Sequence, residues 1–135
     1  MGTVRATLSL STTTVMTSPI NIGVNMTINA DSGNVQRVKI LGTAAGSDAI
    51  TVYKTSDKLE NAYLYIKNLS SDKEKYVHLY ADTASDDPVV MKIGGGEFAF
   101  IPAKNDQTLK AYGTDVDQMV ECAVFGLDSS AVKLT

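Results

Sequence analysis

The chain has 135 residues, 44% hydrophobic and 20% charged, which suits one soluble domain with a real core and excludes a disordered polymer. Its net charge of -3 provides no broad basic field, so general nucleic-acid binding is disfavoured. No apolar run approaches the ~20 residues of a membrane-spanning helix.

The opening Met1-Gly2-Thr3-Val4-Arg5 lacks the charged-then-apolar layout of a secretory signal, and Ala6 stands where a myristoylation motif wants Ser or Thr. Residues 3–10 alternate: Val4, Ala6, Leu8 and Leu10 share one face and Arg5, Thr7 and Ser9 the other. A Thr/Ser run over 11–18 ends at Pro19 and reads as an extended connection, an edge strand or an arm exchanged with a neighbouring subunit. In that last reading Val4, Leu8 and Leu10 are the contact residues. Residues 1–19 are therefore taken as an N-terminal arm, 20–128 as the domain and 129–135 as a tail.

Ile20, Ile22, Val24, Met26 and Ile28 give the cleanest period-two strand in the chain. A turn cluster over 29–34 leads to a strand with Val38 and Ile40 inward and Arg37 and Lys39 outward. A small-residue loop over 42–48 and a short strand over 49–54 follow; 55–61 is polar, with room for one helical turn. The next two runs have the same design. Leu64 and Ile66 oppose Tyr63 and Tyr65, and Val77, Leu79 and Ala81 oppose Tyr76, His78 and Tyr80. Read as a hairpin, they place Tyr63, Tyr65, Tyr76, His78 and Tyr80 on one aromatic face, suited to protein contacts or sugar stacking unless a second sheet covers it.

After an acidic loop over 82–88 comes the stretch that organises the second half, Met91-Lys92-Ile93-Gly94-Gly95-Gly96-Glu97-Phe98-Ala99-Phe100-Ile101-Pro102. Two alternating runs flank three glycines, which can reverse the chain or admit another backbone at close range. Glu97-Phe98 opens a strand rather than a helix, so the glycines are not a phosphate loop. Pro102 has no amide proton and ends its strand or marks a sheet edge. Leu109 and Ala111 mark a short strand, and residues 118–127 form a closing strand apolar on both faces, as in the centre of a sheet. The sum is all-β: an antiparallel sandwich or barrel of nine or ten short strands.

Candidates for chemistry are sparse. One histidine and one cysteine far apart do not make a zinc site. Asp82, Asp86 and Asp87 in one loop, and Asp115 and Asp117 in another, lack the spacing of a calcium loop and read as solvated acidic loops. His78 has no acidic residue two positions away to orient it as a base. Glu60, Glu97 and Glu121 are unsupported as a glycosidase pair. Asn25-Met26-Thr27 and Asn68-Leu69-Ser70 fit the N-glycosylation pattern and read as chance occurrences. Cys122, in an apolar run, reads as a small buried hydrophobe. The expectation is a non-enzymatic protein with no cofactor and no metal.

The order Tyr63-Leu64-Tyr65-Ile66-Lys67-Asn68, then Gly96-Glu97-Phe98-Ala99-Phe100-Ile101-Pro102, then Leu109-Lys110-Ala111 and Val120–Phe125 resembles a module of tailed-bacteriophage structural proteins over about residues 60–127. That resemblance implies a β-sandwich, often of jelly-roll type, serving as a virion building block assembled in the host cytoplasm. The expected function is an accessory capsid decoration or cement subunit. It would act as a homo-oligomer, plausibly a trimer, bound to the major capsid or other virion proteins, with neither nucleic acid nor membrane as partner. A neck, tail or fibre subunit is the alternative location. A carbohydrate-binding sandwich using the tyrosine face for a glycan is the alternative class.

Overall fold

Among the described residues there are ten strands, formed because apolar side chains recur at every second residue, and no helix. A computed structural model describes residues 2–14, 20–30, 32–44, 49–54, 59–81, 89–103 and 107–128. It divides into two compact units, residues Met1–Ala30 and Asp31–Thr135.

The first unit is a two-stranded antiparallel sheet of β1 (Gly2–Thr12) and β2 (Ile20–Ala30). The register sets Val4 opposite Ile28, Ala6 opposite Met26, Leu8 opposite Val24 and Leu10 opposite Ile22. Directly opposed residues share a face, so the two apolar stripes merge into one. The strand over Ile20–Ile28, expected within the sandwich, belongs instead with β1, so the boundary lies after Ala30 rather than at residue 19. The physical reason is the match between the two stripes: β1 and β2 can bury backbone polar groups against each other without misplacing an apolar side chain.

The second unit holds eight strands in two four-stranded antiparallel sheets. One runs in the order β3 (Ser32–Lys39), β10 (Met119–Asp128), β5 (Leu59–Asn68), β8 (Phe98–Ala103). The other runs β4 (Ile50–Lys54), β9 (Thr108–Gly113), β6 (Val77–Ala81), β7 (Val89–Ile93). The pairs β6 with β7, β5 with β8, β4 with β9 and β3 with β10 are nested, as in one long double-stranded ribbon folded at its middle. Rolling that ribbon adds the pairs β10 with β5 and β9 with β6. This is the winding of a jelly roll, and the expected antiparallel sandwich is present.

Each sheet contributes one face to the core. Leu64, Ile66, Val120 and Cys122 come from the first, and Ile50, Tyr53, Val77, Leu79, Ile93, Leu109 and Ala111 from the second. Ile40, fully buried, closes one end. Pro102 lies on β8, at the edge of its sheet, where its missing amide proton costs no ladder bond. Strand β5 begins at Leu59, so part of the segment given room for a helical turn is strand; residues 55–58 lie outside the described residues.

Two buried amides lock one end of the sandwich. Asn68 donates from Nδ2 to the carbonyls of Lys75 (2.8 Å) and Ile93 (3.0 Å), and its Oδ1 accepts from the Ser70 amide. Gln118 donates from Nε2 to the Tyr76 carbonyl and accepts the Asp115 amide at Oε1. The glycine triplet packs into the same end, and both uses of glycine occur there. Gly96 has a φ of 83°, and a Cβ on Gly95 would stand 2.2 Å from the Asp72 carbonyl oxygen.

Candidate functional site: an aromatic outer face

In the β3-β10-β5-β8 sheet the alternation that sends Leu64 and Ile66 inward sends Tyr63, Tyr65 and Lys67 outward. The cross-strand register then sets the outer rows. Phe125, Tyr63 and Pro102 form one row, and Val35, Ala123, Tyr65 and Phe100 the next. Arg37, Glu121, Lys67 and Phe98 form the third. The chain has three phenylalanines, and all of them stand on this outer face rather than in the core. Phe98 is 62% exposed and Val35 60%, while Phe100 and Phe125 are half-buried. Tyr63 and Phe100 stack at 5.8 Å with planes 12° apart, so the rings form a continuous platform.

One polar cluster crosses that platform. Glu121 accepts from the Tyr65 hydroxyl at Oε1 (2.9 Å) and from Arg37 Nε at Oε2 (3.0 Å). Those two bonds hold the Glu121 carboxyl below its ordinary pKa, and burial together with Glu121 raises that of Tyr65. The carboxylate therefore stays ionised and orients the tyrosine ring.

The expected single patch of Tyr63, Tyr65, Tyr76, His78 and Tyr80 does not form. The runs β5 and β6 are not a hairpin: β5 pairs with β10 and β8, β6 with β7 and β9. In a rolled ribbon consecutive strands pass between sheets, so two runs of equal design can face opposite sides of the sandwich. His78 and Tyr80 stand on the outer side of the second sheet. There His78 stacks on Tyr112 (4.9 Å) and Tyr80 tilts against the same ring (5.7 Å). Tyr80 is only 1% exposed and presents no surface. Lys92 Nζ lies 4.0 Å above the Tyr76 ring. His78 Nδ1 is shielded and makes no hydrogen bond to the described residues, and desolvation, with Lys92 nearby, lowers its pKa.

The other candidates have structural occupations. Asp117 and Asp115 face Lys75 Nζ at 3.1 and 3.8 Å, so a lysine rather than a metal ion sits between them. No group of three or more potential metal-ligating side chains occurs among the described residues. Asp82, Asp86 and Asp87 lie outside those residues, as does the side chain of Glu60. Glu97 accepts the Gly94 amide within its own turn. Asn68 is fully buried with Nδ2 committed twice, so the Asn68-Leu69-Ser70 pattern is unavailable to glycosylation in the folded chain. Cys122 is buried, and burial pushes its thiol pKa up, the state of an unreactive core residue. An open cleft of about 450 Å³ is lined by Lys73, Tyr76, the three glycines and Glu97. Among the described residues no helix is long and apolar enough to cross a membrane.

Of the arm residues, Val4 is half-buried, while Leu8 (41% exposed) and Leu10 (51%) stand open on the apolar face of the β1–β2 sheet. The backbone of β1 is paired with β2 of the same chain. Sequence reading missed the phenylalanine platform. The alternation of Phe98 and Phe100 with Ala99 and Ile101 was its signal, but only the cross-strand register reveals which face is inward. Comparison of the chain with protein-family models, curated proteins and solved structures yields no match.

Proposed function

We propose that this chain is a non-enzymatic virion building block of a tailed bacteriophage, an accessory subunit that decorates or cements the capsid through protein contacts. The observation that carries the reading is the aromatic platform: Phe98, Phe100, Phe125, Tyr63 and Tyr65 stand on the outer face of their sheet, and the core cluster includes none of them. Phe98 is largely exposed and the other four rings are half-buried beside it, and aromatic residues with an Arg–carboxylate pair among them are the composition of a protein interface. The jelly-roll winding agrees, since capsid domains use it. Lectins use it too, and a ring platform also suits sugar stacking.

Particles made from the genome that encodes the chain should contain it by mass spectrometry. A Phe98→Ser/Phe100→Ser variant should be incorporated at least ten-fold less. Particles free of the protein, or unimpaired incorporation of the variant, would refute the reading. Binding on a glycan array that disappears with Tyr65→Ala would transfer the platform to carbohydrate recognition.

A further inference from the structure

On one side of the sandwich a pocket of about 230 Å³ lies between the two sheets, where their edge strands β3 and β4 come opposite each other. Cys122 and Val124 of β10 and Tyr53 of β4 line it, with Gln36 of β3 and Lys54 of β4 beside them. Among the described residues β3 has β10 on one side and no strand on the other. Half of the backbone N–H and C=O groups of such an edge strand point away from its neighbour and form a template for another strand. We propose that β3 accepts an extended acidic segment of a partner protein as a fifth strand of its sheet, with one apolar side chain of that segment set into the pocket. The contact lies at the sheet edge and not on the aromatic platform, so it stands whether or not the virion reading holds.

The other edges of the sandwich are blunted. β8 carries Pro102, which lacks a donor, and β4 and β7 are five residues long with a shift in their pairing. β3 pairs with β10 without a break over Ser32–Lys39 and contains no proline. Charge then selects the occupant. The charged side chains of β3 and β4 are Arg37, Lys39 and Lys54, all basic and all exposed. Glu121 engages one of them, Arg37, at Nε. Pairing β3 with β3 of a second copy would join two basic edges, and like charges across a strand pair destabilise it. An acidic segment reverses that sign. Faces alternate along the added strand as they do along β3. Its acidic side chains therefore stand beside Arg37 and Lys39 on the outer face, and its apolar ones beside Gln36 and Val38 toward the pocket. A cavity of about 150 Å³ is enough to hold benzene, so this pocket has room for a leucine or phenylalanine side chain.

The probe is the end-blocked peptide Thr-Glu-Val-Glu-Leu-Glu-Val-Thr, in which glutamate and aliphatic side chains alternate, added to the purified full chain. It should bind saturably by calorimetry and slow amide hydrogen exchange over Ser32–Lys39. The same peptide with lysine for glutamate should not bind. Lys39→Glu/Lys54→Glu should weaken binding by about ten-fold or more while leaving the β-sheet circular-dichroism spectrum unchanged. Failure to saturate at about 1 mM peptide overturns the proposal. Equal affinity for the lysine peptide overturns it, as does protection that falls on β8 instead of β3. Slow exchange of β3 in the free chain together with a dimeric mass would assign the edge to a second copy, and overturns it as well. None of these readouts uses a particle, so a failure here is distinct from a failure of the virion reading.

Discussion

His78 is where one residue's chemistry reaches the stability of the whole. Its ring is stacked on Tyr112, its Nδ1 is shielded, and Lys92 stands opposite it across the strand pair. Desolvation first, and Lys92 second, lower its pKa from the ordinary value. The folded state therefore resists a proton that the unfolded state accepts near pH ~6.5, so stability falls as pH drops through and below that value, until the folded form also protonates. Urea midpoints at pH 7.5 and 5.5 should differ more for the wild type than for His78→Gln, which removes the titration and keeps most of the stack. Equal differences would mean that His78 is not responsible. The alternation of its strand places His78 on an aromatic face and says nothing of what it touches. The stack was not legible, because its partner Tyr112 is thirty-four residues away and meets it only through the β6–β9 register.

Among the elements, the turn between β7 and β8 shows most clearly what alternation can and cannot reveal. The two runs flanking the glycines were legible as strands, and Pro102 as an edge residue. That β7 and β8 belong to different sheets was not, because period two names the faces of a strand but not its neighbour. The glycines themselves are not equivalent. At Gly95 a Cβ would collide with the backbone of Asp72 and Ser70, which cannot yield as a flexible side chain would. Gly95→Ala should therefore cost about 2–4 kcal/mol, the range of overpacking plus a displaced backbone. At Gly23, in β2, a Cβ would meet nothing within 4 Å, and Gly23→Ala should be neutral or stabilising by up to about 1 kcal/mol. Urea unfolding of the two variants gives the comparison; equal costs would contradict the packing at Gly95.

At the scale of the molecule, residues Asp31–Thr135 form a compact unit whose core cluster is built from both of its own sheets. A chain beginning at Asp31 should keep its β-sheet spectrum and a cooperative thermal transition. Loss of cooperative folding would show that the jelly roll depends on the first unit. The all-β class was legible because Ile20–Ile28 and residues 62–67 alternate too strictly for any helix, and residues 118–127 are apolar on both faces, as in a central strand. The roll was implied only by the resemblance over residues 60–127 and not by the periodicity, since the pairs that define it join residues as distant as Ser32 and Gly126. The aromatic site was half legible for the same reason: Tyr63 and Tyr65 were found, whereas Tyr80 turned out buried and Phe125 joined from the last strand.

That last strand has a consequence for synthesis. β10 is the hydrogen-bonding neighbour of both β3 and β5, so its absence splits the first sheet and leaves β3 with no partner in it. A nascent chain emerging from the ribosome can close β6 on β7 early, but the outermost pair of the ribbon must wait until Met119–Asp128 has been made. A stop codon ahead of Met119 would yield an open, sticky half-sheet.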